Sequence, residues 1–318
     1  MLRLCAIRSI RRARTHGQLL SRKPRAGRVV HLATGLALAG AVALAAGAAA
    51  AANVPQVPGG DIFGFSASAD AGKPGDHGGG IEFDGAIGKR FGHYRVFGQK
   101  YFYERVIAPQ TSLGIGVFTA WHSIRNLPAE PINRDSVQFD GASFELARRI
   151  VERSAGNPFS FKIAIEPRWA RLTGGGRHTN AFGAELKLVF DAVIIPGMLY
   201  WAGNIVLAAA RERDPEVHSQ YSTGSQVKVS NALTYQFSER VFTGAELTYL
   251  RAYSKFFAQS NGQAWFLGPT LFVKIHDKAS LNVTIAPQIA GRARGTPMHL
   301  DLDNFTRMIS RVKLAVEF

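Results

Sequence analysis

The sequence predicts an all-β protein, a transmembrane antiparallel β-barrel of about twelve strands behind a cleaved N-terminal signal peptide. Three observations carry this. A basic stretch leads into a long alanine-rich apolar run, period-two alternation recurs from Gly80 to Phe318, and the connections between the alternating blocks switch between short and long.

The presequence comes first. Residues 1–31 hold nine Lys or Arg and no acid, and Leu32 to Ala52 is a run of 21 residues, twelve of them Ala. A basic region, an apolar region and Ala50-Ala51-Ala52 before Asn53 form the pattern of a secretory signal with an A-x-A cleavage site, so residues 1–52 are expected to be removed near Ala52. A membrane anchor is the competing reading of a run this long, but alanine contributes little to insertion beside Leu, Ile or Phe. Export also reinterprets the charge. The chain carries a formal +15, yet without the nine presequence bases it has 29 basic against 23 acidic residues, which removes the basis for a nucleic-acid role. Cys5, the single cysteine, leaves with the presequence, which excludes a disulfide scaffold and a cysteine metal site.

Residues 53–79 are rich in Gly and Pro and include one possible short strand, Ile62 to Ala69. They are expected to lie outside the barrel wall, either in the periplasm or in the lumen as a partial plug. The barrel itself is expected over 80–318, with strands at 80–91, 93–107, 110–124, 137–151, 158–171, 181–194, 198–209, 225–237, 241–253, 264–275, 280–292 and 304–318. Alternation is clearest in Phe159 to Trp169, where Phe161, Ile163 and Ile165 interleave with Lys162, Ala164 and Glu166. It is equally clear in Ala184 to Asp191, Leu281 to Ile289 and Arg311 to Phe318. A soluble sandwich alternates too. Loop asymmetry favours the membrane: short turns such as Ala108-Pro109 and Ile195 to Gly197 interleave with long connections such as Arg125 to Ser136 and Ala293 to Asp303, although the connection at Gly92 is short where a long one is expected. Aromatic placement favours it as well. Trp121, Trp169, Tyr249 and Trp265 fall at one set of strand ends, and Phe159, Phe190, Trp201, Tyr235, Phe237 and Phe318 at the other, as two membrane interfaces would select.

With its terminal Phe318 and apolar residues at 316, 314 and 312, the region Gly80 to Phe318 resembles a Gram-negative outer-membrane β-barrel ending in its C-terminal assembly signal. The resemblance implies outer-membrane lipid and the outer-membrane assembly machinery as partners. The blocks Ile62-Phe63-Gly64-Phe65, Glu166-Pro167-Arg168-Trp169-Ala170-Arg171 and Leu300-Asp301-Leu302-Asp303-Asn304-Phe305 also resemble a group of alphaproteobacterial envelope proteins, a likeness that implies no activity.

The inward row defines the candidate site. Lys162, Glu166, Arg168, Glu185, Lys187, Asp191, Lys228, Glu246, Lys274, Arg307, Arg311 and Lys313 are the candidate pore-lining residues, while Trp121, Trp169, Trp201, Trp265 and Phe318 are the candidate interface aromatics. Mixed charge in a confined lumen must pair or stay hydrated. Two uses follow: a salt-bridged structural interior, or a narrow aqueous path for small solutes in which Arg307, Arg311 and Lys313 give a mild preference for anions. A lipid hydrolase is a third class, with His218-Ser219 and the nearby Ser222, Thr223 and Ser225 as its only candidates; adjacent residues on a strand face opposite ways, a poor geometry for a nucleophile and its base. His122 beside Trp121 reads as a rim residue. Asp70, Asp76 and His77 match no calcium-loop spacing, and Gly72-Lys73-Pro74-Gly75 is no phosphate loop. No cofactor, metal or nucleic-acid partner is expected.

Overall fold

The structure, a computed structural model, describes residues 57, 62–128, 130, 132–217 and 219–318. The basic stretch, Cys5, the apolar run and the boundary at Ala52 lie outside the described residues.

Twelve strands follow one another: β1 (His77–Ile87), β2 (His93–Ala108), β3 (Thr111–Arg125), β4 (Arg134–Val151), β5 (Phe159–Leu172), β6 (His178–Ile195), β7 (Leu199–Arg213), β8 (Tyr221–Gln236), β9 (Val241–Ser254), β10 (Gln259–His276), β11 (Ala279–Ala293) and β12 (Met308–Glu317). Each pairs antiparallel with its neighbours in sequence, and β1 pairs with β12 from Gly78↔Glu317 to Ile87↔Met308, so the sheet closes. Closure leaves no free edge, which is the condition for placing strands in hydrocarbon. An even strand number puts His77 and Glu317 at one rim, together with the connections at 109–110, 152–158, 196–198, 237–240 and 277–278. In outer-membrane barrels that rim faces the periplasm.

The alternation is realised as inside and outside. Ile115, Val117, Ile165, Leu186, Leu267, Ile285 and Leu314 are exposed on the outer face. The residues between them, among them Phe118, Ala164, Phe266 and Ala286, are buried on the inner face. Aromatic side chains meet across neighbouring strands at both ends, with Phe97 on Trp121, Phe139 on Trp169 and Tyr249 on Trp265 above, and Phe161 on Phe190 and His77 on Phe318 below.

Strand β1 covers His77–Ile87 rather than 80–91, so His77 to Gly79 join the wall from the segment expected outside it, and two further differences from the expected strands have physical causes. Strands β4, β6, β7, β8 and β10 run several residues further at the upper rim than the alternation indicates, because backbone ladders continue above the membrane where neither face selects for apolar side chains. Strand β12 begins at Met308 rather than 304, because the preceding residues fold inward: Asp301, Leu302, Asn304, Phe305 and Thr306 are buried.

Candidate functional site

Three layers occupy the lumen. At mid-height is a cavity of about 210 Å³ whose wall carries Glu82, Lys100, Glu145, Glu166, Lys187 and Arg311, all inward positions near strand centres. Their charges are interlocked. Lys187 Nζ donates to Glu145 Oε2 at 2.5 Å and to Glu166, Lys100 Nζ donates to the other Glu166 oxygen at 3.0 Å, and Ser143 Oγ donates to that same oxygen at 2.6 Å. On the β1/β12 seam, Arg311 donates to its cross-strand neighbour Asp84 at 2.8 Å and lies 3.1 Å from Glu82. Charge-assisted bonds of this kind are the condition on which ions are tolerated away from bulk water.

Below the cavity, residues 62–71 run around the inner wall as a belt that belongs to no strand. The side chains it meets come from successive strands. Asn282 of β11 donates to the Phe63 carbonyl at 2.7 Å, and Glu246 of β9 accepts from Phe65 N at 2.6 Å and Ser66 Oγ at 2.7 Å. Ser66 Oγ also lies 2.8 Å from Ser230 Oγ of β8, and Asn204 of β7 accepts from Ala67 N at 2.6 Å. Asp191 of β6 then accepts from Ser68 Oγ at 2.8 Å and Ala69 N at 2.6 Å. Strands lie roughly 4.8 Å apart, so an extended chain crossing them meets a new strand every residue or two. The belt ends at a charged clasp, where the Arg153 guanidinium bridges Asp191 and Asp70 and Arg149 lies 3.7 Å from Asp70. Its beginning is anchored by apolar burial: Ile62 (0% exposed) and Phe63 (1%) pack with Val193, Tyr200, Phe242 and Phe272. Burial of such side chains contributes roughly 1.5–3 kcal/mol each. The fit is tight, since a Cβ on Gly64 would overlap the Thr284 hydroxyl.

Above the cavity, the 294–307 connection dips inward. Gln288 of β11 accepts from Asp301 N at 2.7 Å and donates to the Asp301 and Thr306 carbonyls, while Asn304 N donates to Asp301 Oδ1 at 3.0 Å. Burial pushes the Asp301 carboxyl above its ordinary value, against the lowering effect of the Asn304 bonds. Phe305 shares a buried cluster with Phe65 of the belt, together with Leu250, Ala264, Phe266 and Ala286. The 173–177 turn is also held inward, with Tyr94 Oη donating to the Gly174 carbonyl at 3.0 Å and Arg134 Nη1 to the Gly176 carbonyl at 2.5 Å.

Of the residues singled out in the sequence, Lys162, Glu166, Arg168, Glu185, Lys187, Lys228, Arg311 and Lys313 all reach the mid-height cavity. Asp191 and Glu246 are inward but lie under the belt. Lys274 stands near the periplasmic rim, 3.8 Å from Asp277, and Arg307 precedes β12 with its backbone bonded to Gly88. The three residues read as an anion-favouring ladder are therefore separated: Arg307 is at the upper rim, Arg311 is engaged by Glu82 and Asp84, and Lys313 stands over the Phe102 ring at 5.2 Å. His218 lies outside the described residues. Ser225 Oγ is committed to the β9/β10 turn, donating to the Lys255 carbonyl and accepting from Phe257 N. His122 is an interior residue beneath Gly176 rather than a rim residue. Asp70 belongs to the clasp, Asp76 accepts from Lys73 N in a turn, and His77 Nδ1 lies 3.0 Å from the Gly75 carbonyl. No group of three or more His, Cys, Asp or Glu is placed to hold a metal ion among the described residues.

Sequence reasoning did not single out Asn204, Ser230, Asn282, Arg149 and Arg153 as belt contacts. Their signal was present in part: isolated Asn and Ser at inward positions of otherwise apolar strands require a polar partner.

A family model matches residues 55–318, covering belt and barrel together. The chain belongs to that family, a family of unknown function (DUF6662). No curated protein matches this DUF6662 chain in sequence. Among solved structures it is similar to the COG4313 outer membrane channel from Pseudomonas putida F1, with 9% identity and a TM-score of 0.57 over 79% of this chain and 98% of that one. It is also similar to the NanC porin, with 10% identity and a TM-score of 0.43 over 75% and 100% of the two chains. For the translocator domain of the autotransporter NalP from Neisseria meningitidis the identity is 12% and the TM-score 0.44, over 79% and 91%. The first likeness is one of fold. Closed topology, an apolar outer face and the fold relationship together make this DUF6662 chain an outer-membrane β-barrel.

Proposed function

We propose that the protein is a passive outer-membrane channel: a narrow pore for small solutes with a mixed-charge lumen, held closed at rest by residues 62–71. The observation that carries this reading is the charged cavity of about 210 Å³ lying against the belt. A barrel that only needed filling would be filled more stably by apolar side chains on its own strands than by buried ions. Here the filling is a separate segment, bonded largely to side chains, and such bonds can be exchanged for water or solute. Lys162, Glu166, Arg168, Glu185, Lys187, Lys228, Arg311 and Lys313 would line the open path. Lys274 and Arg307 would stand at its mouths, and Asp191 and Glu246 would be uncovered when the belt leaves. The similarity to a solved outer membrane channel agrees with this reading without carrying it.

Delivery follows the same reading. Residues 1–52 would act as the export signal with cleavage near Ala52, and the C-terminal strand ending at Phe318 would be what the assembly machinery engages.

Conductance in planar bilayers tests the proposal. The mature protein is expected to show rare, small openings, and deletion of residues 62–71 to give frequent and larger ones while the barrel stays folded by heat-modified gel mobility. If the folded deletion variant stays silent, the protein is a structural or surface-interaction barrel instead.

A further inference from the structure

The cavity wall carries seven basic side chains and five carboxylates. The carboxylates are engaged: Glu166 and Glu145 with Lys187, Glu82 with Arg311, and Glu104 accepting from Ser112 Oγ at 2.6 Å. Glu185 stands 4.0 Å from Lys187. Two lysines are held differently. Lys228 Nζ donates to the Phe65 carbonyl at 2.5 Å, and Lys162 Nζ donates to the Asp70 carbonyl at 3.3 Å. Both acceptors are neutral oxygens, and both belong to the belt. An ammonium group carries three donors and bonds more strongly to a carboxylate than to a carbonyl, so a solute carboxylate would compete with the belt carbonyl at either lysine.

We infer that Lys162 and Lys228, on the wall of one cavity, are the groups that bind small carboxylate solutes, and that the Phe65 and Asp70 carbonyls of the belt occupy them in the closed form. The assignment rests on the channel reading and names its solute class. Size agrees. The cavity, about 210 Å³, has room for a small mono- or dicarboxylate. Lys313, over the Phe102 ring on another part of the same wall, adds positive potential to the cavity. Solute and belt then compete for the same two ammonium groups, so binding the solute weakens the belt's hold at both ends of its polar stretch. This is a route by which a solute opens its own path.

The test uses the folded mature chain in detergent, titrated calorimetrically with sodium succinate at constant ionic strength, with ethanolamine hydrochloride as the cationic control. Saturable succinate binding is expected, with no ethanolamine binding. Affinity should fall at least tenfold in the Lys162→Gln/Lys228→Gln double variant and be retained in Lys228→Arg and in Lys278→Gln, a change in the exposed 277–278 turn. If the double variant fails to fold, each single Gln variant should lose part of the affinity. Absence of succinate binding, or equal binding in the Gln variants, overturns the inference. Bilayer recording separates it from the channel reading: openings without succinate binding leave the channel standing and remove the carboxylate site, whereas succinate binding in a barrel that never conducts, with or without the belt, does the reverse.

Discussion

Gly141 decides which way each half of β4 faces. Val137 and Phe139 point outward before it, and Phe144 and Leu146 point outward after it, so the parity changes by one residue. The change is a β-bulge: Gly141 has φ of 118° and the β3 pairing slips between Phe118 and Thr119. A side chain there would also strike the Trp169 carbonyl. The bulge places both Asp140 and Glu145 inside, where Asp140 accepts from Arg168 at 2.9 Å and Glu145 from Lys187. On the lipid face, one residue suffices as a probe. Leu186 is exposed near the middle of β6, and Leu186→Arg should lower stability in lipid vesicles by roughly 2–4 kcal/mol, measured by urea unfolding. A cost near zero would mean that Leu186 does not face hydrocarbon. Asp301 gives a pH-dependent counterpart. Its carboxyl is raised by burial, so the docked loop binds the proton more tightly than an opened loop does. Docking of 294–307 should therefore strengthen as pH falls from the raised value towards the ordinary 3.8 and weaken as pH rises through that window. Amide exchange across the loop should follow this trend in the wild type and lose its pH-dependence, after correction for intrinsic exchange, in Asp301→Asn. An unchanged trend in the variant would assign it to another group.

At the scale of elements, the belt is the unit that the sequence disclosed least. Strand positions were legible because lipid outside and a polar lumen inside impose a period of two wherever both are present. Strand ends were not legible, because above the membrane that selection lapses while backbone pairing continues. The belt shows the opposite failure. Ile62 to Ala69 has strand-like composition, yet it runs across the strands, so its period reports which side chains the wall offers rather than a ladder. Ser66 and Ser68 are short and polar, and each reaches a buried carboxylate, Glu246 or Asp191. The blocks at 62–65, 166–171 and 300–305, singled out by resemblance alone, reach the belt, the charged cavity and the inward upper loop respectively. Phe63 is the apolar anchor of the belt. Phe63→Ala should speed amide exchange across 62–71 by at least an order of magnitude and leave the β6 to β10 ladders protected, because the belt contributes no ladder bond. Coordinated loss of protection in belt and wall would show that the belt is part of the barrel's cooperative core.

At the scale of the whole molecule, the candidate site was half legible. That Lys162, Lys187 and Lys313 face inward followed from alternation. Which charges pair did not, because partners come from strands distant in sequence: Arg311 meets Asp84 across the closing β1/β12 seam, and Lys100 of β2 meets Glu166 of β5. The same limit hid the clasp, where a turn residue, Arg153, joins the belt to β6. The central claim is that the belt is a removable gate, and one covalent tether tests it most directly. Ser66 Oγ and Ser230 Oγ are 2.8 Å apart, so cysteines at the two positions would bring their sulfurs close, and the chain's single native cysteine, Cys5, lies in the segment read as the export signal. In a Ser66→Cys/Ser230→Cys protein reconstituted in a planar bilayer, the oxidised form should stay closed and addition of dithiothreitol should bring on openings in the same membrane. Full conductance in the oxidised form, with the disulfide verified by mass spectrometry, would contradict the account.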